Sequence, residues 1–367
     1  MRVVIWMNIP SHHQANFFEA LRQAGVDLLV RYYAPQILEE RLLQGWCQKE
    51  LCKGEAIVQP TLEALESLPD YKDRIHVIPG YGTRFLRQLA AHLSQQSVEW
   101  VHWSECSQPG MRWFLGYPRK CNYGKLVARY ALGAFAQGIL AENDFVRWGI
   151  PIEKIARLYY AVKGGDRIVA NASQCQNALQ GRNAFLYLGR LYKRKAIDIL
   201  LRSFAAIAHN NRKKWVLLVV GSDKFDGRYK KLASKLGLDE EVFFIDPIPS
   251  DQIWSVLKSA KVLVLPSRHD GWGVVLNEAA SMGLALIGSS NAGATHHLVS
   301  PGINGFRVRA GNVDSLRAAL LAYVHNSELA EKHGEASLTI AKEFTPERNV
   351  QRFLTAIESW RSMKGAQ

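Results

Sequence analysis

The sequence predicts an α/β protein made of two doubly wound, mostly parallel sheets. Strand and helix signals alternate through the N-terminal half, stop in an aperiodic stretch near residues 161–181, and restart beyond residue 183. The restarted half contains Trp215-Val-Leu-Leu-Val-Val220, apolar at every position, as expected of a strand covered by helices on both faces. The length of 367 residues agrees with two domains of about 150 residues each.

Taken in order, Val3 to Met7 is an apolar run too short for a signal peptide and reads as the first strand. Gln14 to Ala24 is expected to be a helix, with Phe17, Phe18 and Leu21 on one face and Gly25 closing it. Asp27 to Tyr33 is a second strand. Helix signals follow at Gln36 to Leu43 and Arg84 to Leu93, and strand signals at Ile75 to Ile78 and Glu99 to Trp103. A long helical pattern runs from Lys125 through Ala141. The Gly, Asn, Gln and Ser near 161–181 mark an interdomain connection. Strands then fall at 184–188, 215–220, 242–245, 262–265 and 284–287 with helices between, among them Ala196 to Ala208. Pro301 to Phe306 is a turn and Val313 to His325 a helix. Pro346 to Met363 is a last helix with Val350, Phe353, Leu354, Ile357 and Trp360 at helical spacing. The expected division is 1–163, a connection at 164–182, 183–343, and a terminal helix at 344–367.

Five cysteines, an odd number without framework spacing, point to reduced thiols and a cytoplasmic location. Cys47 and Cys52 lack the partners of a zinc site, and no metal site is expected. No run reaches the ~18 apolar residues of a membrane span. The net charge of +13 implies an acidic partner. No recognition helix, zinc finger or RNA-binding signature accompanies it, so nucleic acid is not expected. The cations gather in loops and amphipathic stretches. Met111-Arg-Trp-Phe-Leu-Gly-Tyr-Pro-Arg-Lys120, continuing to Lys125 and Arg129, interleaves them with aromatics. That suits an anionic membrane surface at its inner face. It also suits an ordinary loop with a partly buried Trp.

Two segments carry the chemistry. In the first, Val262 to Leu265 stops at Pro266, a loop with Asp270 and Gly271-Trp-Gly273 follows, and a helix is expected from near Gly273 to Gly283 with Glu278 in its second turn. A helix start after a glycine loop aims amides and a positive dipole end at an anion, most often a phosphate. The flanking carboxylates suit sugar and ribose hydroxyls on either side of a diphosphate. Asp270 is equally a residue type that caps helices. In the second, the strand Ala184 to Leu188 breaks at Gly189, and Arg190, Lys193, Arg194 and Lys195 follow. Arg190 suits a fork onto phosphate oxygens and Lys195 a point charge. Lys193 and Arg194 fit a solvated basic loop better.

These segments resemble the glycosyltransferase family 4 signature: a strand ending Gly189-Arg-Leu191, Lys195 five residues past the Arg, and carboxylates at Asp270 and Glu278. The resemblance covers most of the C-terminal half and implies the GT-B fold, two doubly wound Rossmann-like domains facing across a cleft. The terminal helix would then pack back on the first domain. It further implies a retaining, metal-independent transfer of a hexose, without cofactor, from a nucleotide-diphosphate sugar to a hydroxyl of a glycan or lipid-linked acceptor, of cell-envelope polysaccharide or lipopolysaccharide type. Arg190, Lys195 and Asp270 would act at the reacting bond, Asp270 standing where the family more often has Glu. Gly189, Gly271, Trp272, Gly273, Val274 and Glu278 would hold the donor, Glu278 at the ribose. The family's Gly-Gly-x-x-Glu loop appears as Gly293-Ala-Thr-His-His297, with no acidic residue. On the acceptor side, His12 and His13 follow the first strand, and His102 and Glu105 a later one. All four are also ordinary surface residue types. Two other readings use the same architecture: a nucleotide-sugar epimerase, and a non-catalytic nucleotide-sugar or surface-binding protein.

Overall fold

Each half of the sequence folds around its own parallel sheet. The structure, a computed structural model, describes residues 1–42, 50–164, 173–223, 227–249 and 252–365. It has two units, Met1–Ala161 with Pro346–Gln367, and Val162–Thr345.

In the first unit the strands are β1 (Arg2–Met7), β2 (Asp27–Tyr32), β3 (Glu55–Ile57), β4 (Ile75–Ile78), β5 (Trp100–Ser104), β6 (Gly133–Ala136) and β7 (Ile155–Arg157). They pair in the order β3-β2-β1-β4-β5-β6-β7, all parallel. Val3 to Trp6 of β1 are inaccessible to solvent, because helices cover both sheet faces. The terminal helix Pro346–Gly365 belongs to this unit and packs on helix His12–Gln23. Its Phe353 stacks on Phe135 with ring centroids 5.0 Å apart and meets the edge of Phe17 at 6.1 Å. Trp360 lies 4.9 Å from Phe135 and donates its indole N–H to the Glu153 carbonyl at 3.3 Å.

The second unit holds β8 (Asn183–Leu188), β9 (Trp215–Val220), β10 (Val242–Ile245), β11 (Val262–Leu265), β12 (Ala285–Ser289) and β13 (Gly305–Val308). Their order is β10-β9-β8-β11-β12-β13, again all parallel. All six residues of β9 are buried, with Trp215 stacked on Phe185 of β8 at 4.3 Å. In both units the strand order reverses direction once, between β1 and β4 and between β8 and β11. Open parallel sheets bind ligands at the carboxyl ends of the strands flanking such a switch.

Several expectations are corrected. The expected helix from Lys125 through Ala141 is three elements: helix Tyr117–Tyr130, strand β6 and helix Ile139–Arg147. Gly133-Ala-Phe-Ala136 looks helical by propensity, but its backbone sits between β5 and β7 and a Cβ on Gly133 would lie 2.3 Å from the Trp360 ring. Tertiary packing overrides propensity there. The short strands β3, β7 and β13 and the helix Glu328–Ala341 add to the expected elements. Part of the expected connection at 164–182 is the helix Ser173–Leu179, which buries Cys175 and Ala178, two small residues too sparse to show a period. The rest of that connection between 165 and 172 lies outside the described residues, as does Cys47.

Candidate functional site

Two loops of the second unit follow the strands flanking its switch point, Gly189 to Lys195 after β8 and Pro266 to Val274 after β11. Both expected motifs therefore lie at one sheet edge. The loops are tied together: Arg268 N–H donates to the Arg194 carbonyl at 2.8 Å, and its guanidinium binds both Asp198 oxygens at 2.8 and 2.6 Å and the Lys193 carbonyl at 2.8 Å. Such a fork holds both partners in one geometry.

Lys195 Nζ lies 2.5 Å from Asp270 Oδ2. Arg194 Nη1 stands 3.7 Å from Asp270 Oδ1 and donates to the His269 carbonyl at 3.5 Å. Arg194 is thus part of the cluster and not the solvated loop residue expected; its place beside Lys195 in the run was the available signal. Asp270 does not cap the following helix, whose N-cap is Val274 with no side-chain bond. Its carboxylate faces the cations while its backbone N–H donates to Asn291 O at 2.9 Å.

Arg190 lies with its guanidinium 4.9 Å from the centre of the Tyr192 ring and 3.4 Å from the Tyr192 hydroxyl. Among the described residues it meets no carboxylate. Tyr187, buried below it, donates its hydroxyl to the Arg190 carbonyl at 2.9 Å and so positions the residue; in the sequence it has the pattern of a core strand residue. Beside the cluster, Ala196 adopts φ +60°, a left-handed conformation that costs a non-glycine residue roughly 1–2 kcal/mol.

The helix after the glycine loop spans Val275–Ser281, so Glu278 falls in its first turn, not its second. Gly273 has φ +95°, which turns the chain into the helix at a backbone angle L side chains avoid. Leu276 and Asn277 amides bond back to the Gly273 and Val274 carbonyls at 3.0 and 2.8 Å, while Gly273 and Val274 amides have no protein acceptor among the described residues. Trp272 is buried, its indole N–H donating to Asn277 Oδ1 at 2.7 Å and its ring stacked 5.7 Å from His297. The Gly189 amide is taken by Val220 O at 2.9 Å. Glu278 is buried, and loss of solvation pushes its carboxyl up to about 7.

In the first unit His12 and His13 open the helix His12–Gln23 and do not lie in a loop, because extended Ser11 caps it, accepting from His13 N–H at 3.3 Å. The His12 side chain lies outside what is described. Glu105 is exposed directly after β5. His102 is a core residue: its ring nitrogens lie 3.2 Å from the Tyr123 hydroxyl and 2.9 Å from Ser104 Oγ, and Phe145 and Trp148 pack on it. Burial pushes its pKa down to about 3, so it is neutral. With both nitrogens engaged inside the protein, it presents none to an acceptor. Among the described residues no group of three His, Cys, Asp or Glu is placed to hold a metal ion, and no helix is long and apolar enough to cross a membrane.

The family model described as Glycosyl transferases group 1 matches residues 171–340. D-inositol 3-phosphate glycosyltransferase of Streptomyces griseus subsp. griseus is 30% identical over 167 residues, which are 43% of this chain and 35% of that protein. Lipopolysaccharide core biosynthesis mannosyltransferase LpcC of Rhizobium leguminosarum bv. viciae is 28% identical over 167 residues, 44% of this chain and 46% of that protein. The matches thus span less than half the length of these curated relatives. Among solved structures, Anabaena Alr3699/HepE in complex with UDP superposes with a TM-score of 0.76 at 17% identity over 98% of this chain and 99% of that one. The lipopolysaccharide outer core galactosyltransferase WaaB gives 0.72 at 16% identity over 98% and 99%. At such identities the likeness is one of fold, a pair of Rossmann-like units of the GT-B type.

Proposed function

We propose that this protein, whose residues 171–340 match the model of the group 1 glycosyl transferases, moves a hexose from a nucleotide-diphosphate sugar to a hydroxyl of a glycan or lipid-linked acceptor of the cell envelope, with retention at the anomeric carbon. One observation carries the reading: at the switch point of the second sheet, an Arg190 guanidinium with no carboxylate partner among the described residues shares its loop with Lys195, itself bound to Asp270. The Anabaena protein of the same fold is described with UDP-glucose, which supports a nucleotide-sugar donor here.

On this reading Arg190 and Lys195 take the negative charge that builds on the diphosphate as the sugar–phosphate C–O bond breaks. The amides of Gly273 and Val274 add to them, and no metal is required. Losing one such donor typically costs roughly 2.7–4 kcal/mol of barrier. The acceptor oxygen bonds to the anomeric carbon and passes its proton late to the departing phosphate, so no separate strong base is needed. Asp270, released from Lys195 as the cation turns to phosphate, takes a sugar hydroxyl. Glu278 takes the ribose. The closely tied loops leave Trp272 as the clamp that holds the glycine turn. The basic–aromatic stretch of the first unit supports a peripheral position at the inner face of the membrane.

Incubation with radiolabelled sugar nucleotides and a membrane extract tests this. Label is expected in a glycan or lipid fraction and is lost in Arg190→Ala and in Glu278→Gln. Transfer undiminished in both variants would show that the site is misplaced.

A further inference from the structure

A second cluster of cations lines a cavity of about 540 Å³ in the first unit, apart from the donor-side residues of the second; Arg119 and Lys120 among them belong to the basic–aromatic stretch. It opens beside the loop after β4, one of the two strands flanking that sheet's switch point. Its walls are Tyr81, Arg87, Arg119, Lys120, Asn122 and Tyr123. The volume is in the ordinary range of small-molecule sites.

The lining is rich in donors. Tyr81 and Tyr123 stack with ring centroids 5.1 Å apart, and Tyr81 also meets the edge of Trp148. Arg87 is anchored by donating one nitrogen to the Tyr81 carbonyl at 2.9 Å. Arg87 and Arg119 are exposed, and neither meets a carboxylate among the described residues. Lys120 is buried, its Nζ 5.8 Å from the Trp148 ring centre. The acidic group acting on Lys120 is Asp144, whose Oδ2 already accepts from Ser107 N at 2.8 Å and Oγ at 2.7 Å and which lies 3.9 Å from Arg147. Among the described residues lining the cavity are three cations and no carboxylate, and the Asp144 that acts on Lys120 is already engaged, so the cavity is positive. Guanidinium forks and an ammonium together match the oxygens of a polyanion better than those of a single carboxylate.

We propose that this cavity is a binding site for a phosphate ester. The ester has two sources of the same chemistry, a soluble phosphorylated molecule or a lipid headgroup. The second gains a contact, since helix Met111–Leu115, which leads into the cavity rim at Gly116, exposes Met111, Phe114 and Leu115. The site does not depend on the donor assignment in the second unit, and Arg190→Ala is expected to leave it unchanged.

Titration calorimetry on the full chain with glycerol 3-phosphate, and co-sedimentation with phosphatidylcholine vesicles with or without phosphatidylglycerol, separate the sources. Arg119→Gln and Lys120→Met are each expected to weaken binding about tenfold, the scale of one charge-assisted contact. Lys72→Gln, a charge-matched change at an exposed residue of the first unit outside the basic–aromatic stretch, is expected to leave it intact. Binding of the soluble ester with that pattern establishes the site and names the first source. Binding only to phosphatidylglycerol vesicles, lost also in Phe114→Ser, establishes it and names the second. Arg119 is exposed, so its variant carries the test even where Lys120→Met fails to fold. The proposal is overturned if neither probe binds, or if Lys72→Gln weakens binding as much as Arg119→Gln does.

Discussion

Lys195 and Asp270, separated by 75 positions in the chain, meet at 2.5 Å where the loops after β8 and β11 converge. Each was expected from sequence to face the donor separately; in the structure they face each other. The pair holds the Lys195 side chain at the carboxyl ends of the strands, with Arg194 at 3.7 Å as a second cation beside the same carboxylate. Lys195→Met is expected to lower the rate of sugar transfer about 10²–10³-fold. Asp270→Asn should also lower it. Because the two share one contact, the double variant should lose less than the product of the single losses, by a coupling of 0.5–3 kcal/mol on the usual scale of about that size. Strictly multiplicative losses would show that the two side chains act independently.

Arg190 owes its position to Tyr192 and to the Tyr187 hydroxyl. Lysine keeps the charge but loses the planar fork and the stack. Arg190→Lys is expected to reduce transfer at least about tenfold, a charge-assisted contact being worth roughly 1.5–3 kcal/mol. Steady-state rates of the purified variant check this; an unchanged rate would place the diphosphate elsewhere.

Glu278 makes stability depend on pH. Burial raises its folded pKa from 4.5 to about 7, so the folded chain holds a proton that the unfolded chain releases. The protonated residue costs nothing below about 4.5; stability then falls as pH rises toward 7 and is level above it. Glu278→Gln removes that dependence. Urea unfolding is expected to show the Gln variant gaining on the wild type across this window, by on the order of 3 kcal/mol above neutral pH. Parallel pH profiles of the two proteins would refute the assignment.

Trp360 fills the space left by Gly133 and closes the core of the first unit. Trp360→Ala is expected to cost about 3–5 kcal/mol, read as a lower urea midpoint at unchanged slope. Should the midpoint stay put, the terminal helix contributes nothing to that core.

Much of the fold was legible because hydrophobic periodicity reports burial. The apolar run of β9 and the spaced face of Val350, Phe353, Ile357 and Trp360 need no partner to be recognised. What escaped were elements whose state depends on distant chain: β6, short and with Gly133 packed against Trp360, and the three-residue strands β3 and β7 at the sheet edges. The candidate site divides in the same way. Gly189-Arg190 and the Asp270 to Glu278 stretch announce themselves by local chemistry. The bonds from Arg268 to Asp198 and from Tyr187 to Arg190, which hold the loops, are made between residues with no local signature. His102 shows the reverse error, a histidine at a strand end that looked like a site residue and is packed among Tyr123, Phe145 and Trp148.

The central claim, a diphosphate held by the Arg190–Lys195 loop, is tested most directly by titration calorimetry of the whole protein with a panel of nucleoside diphosphates. The account predicts that at least one binds, and binds at least about tenfold more weakly to Arg190→Ala and to Lys195→Met. Equal affinity of the wild type and both variants for that nucleotide, or no binding by any member of the panel, would contradict it.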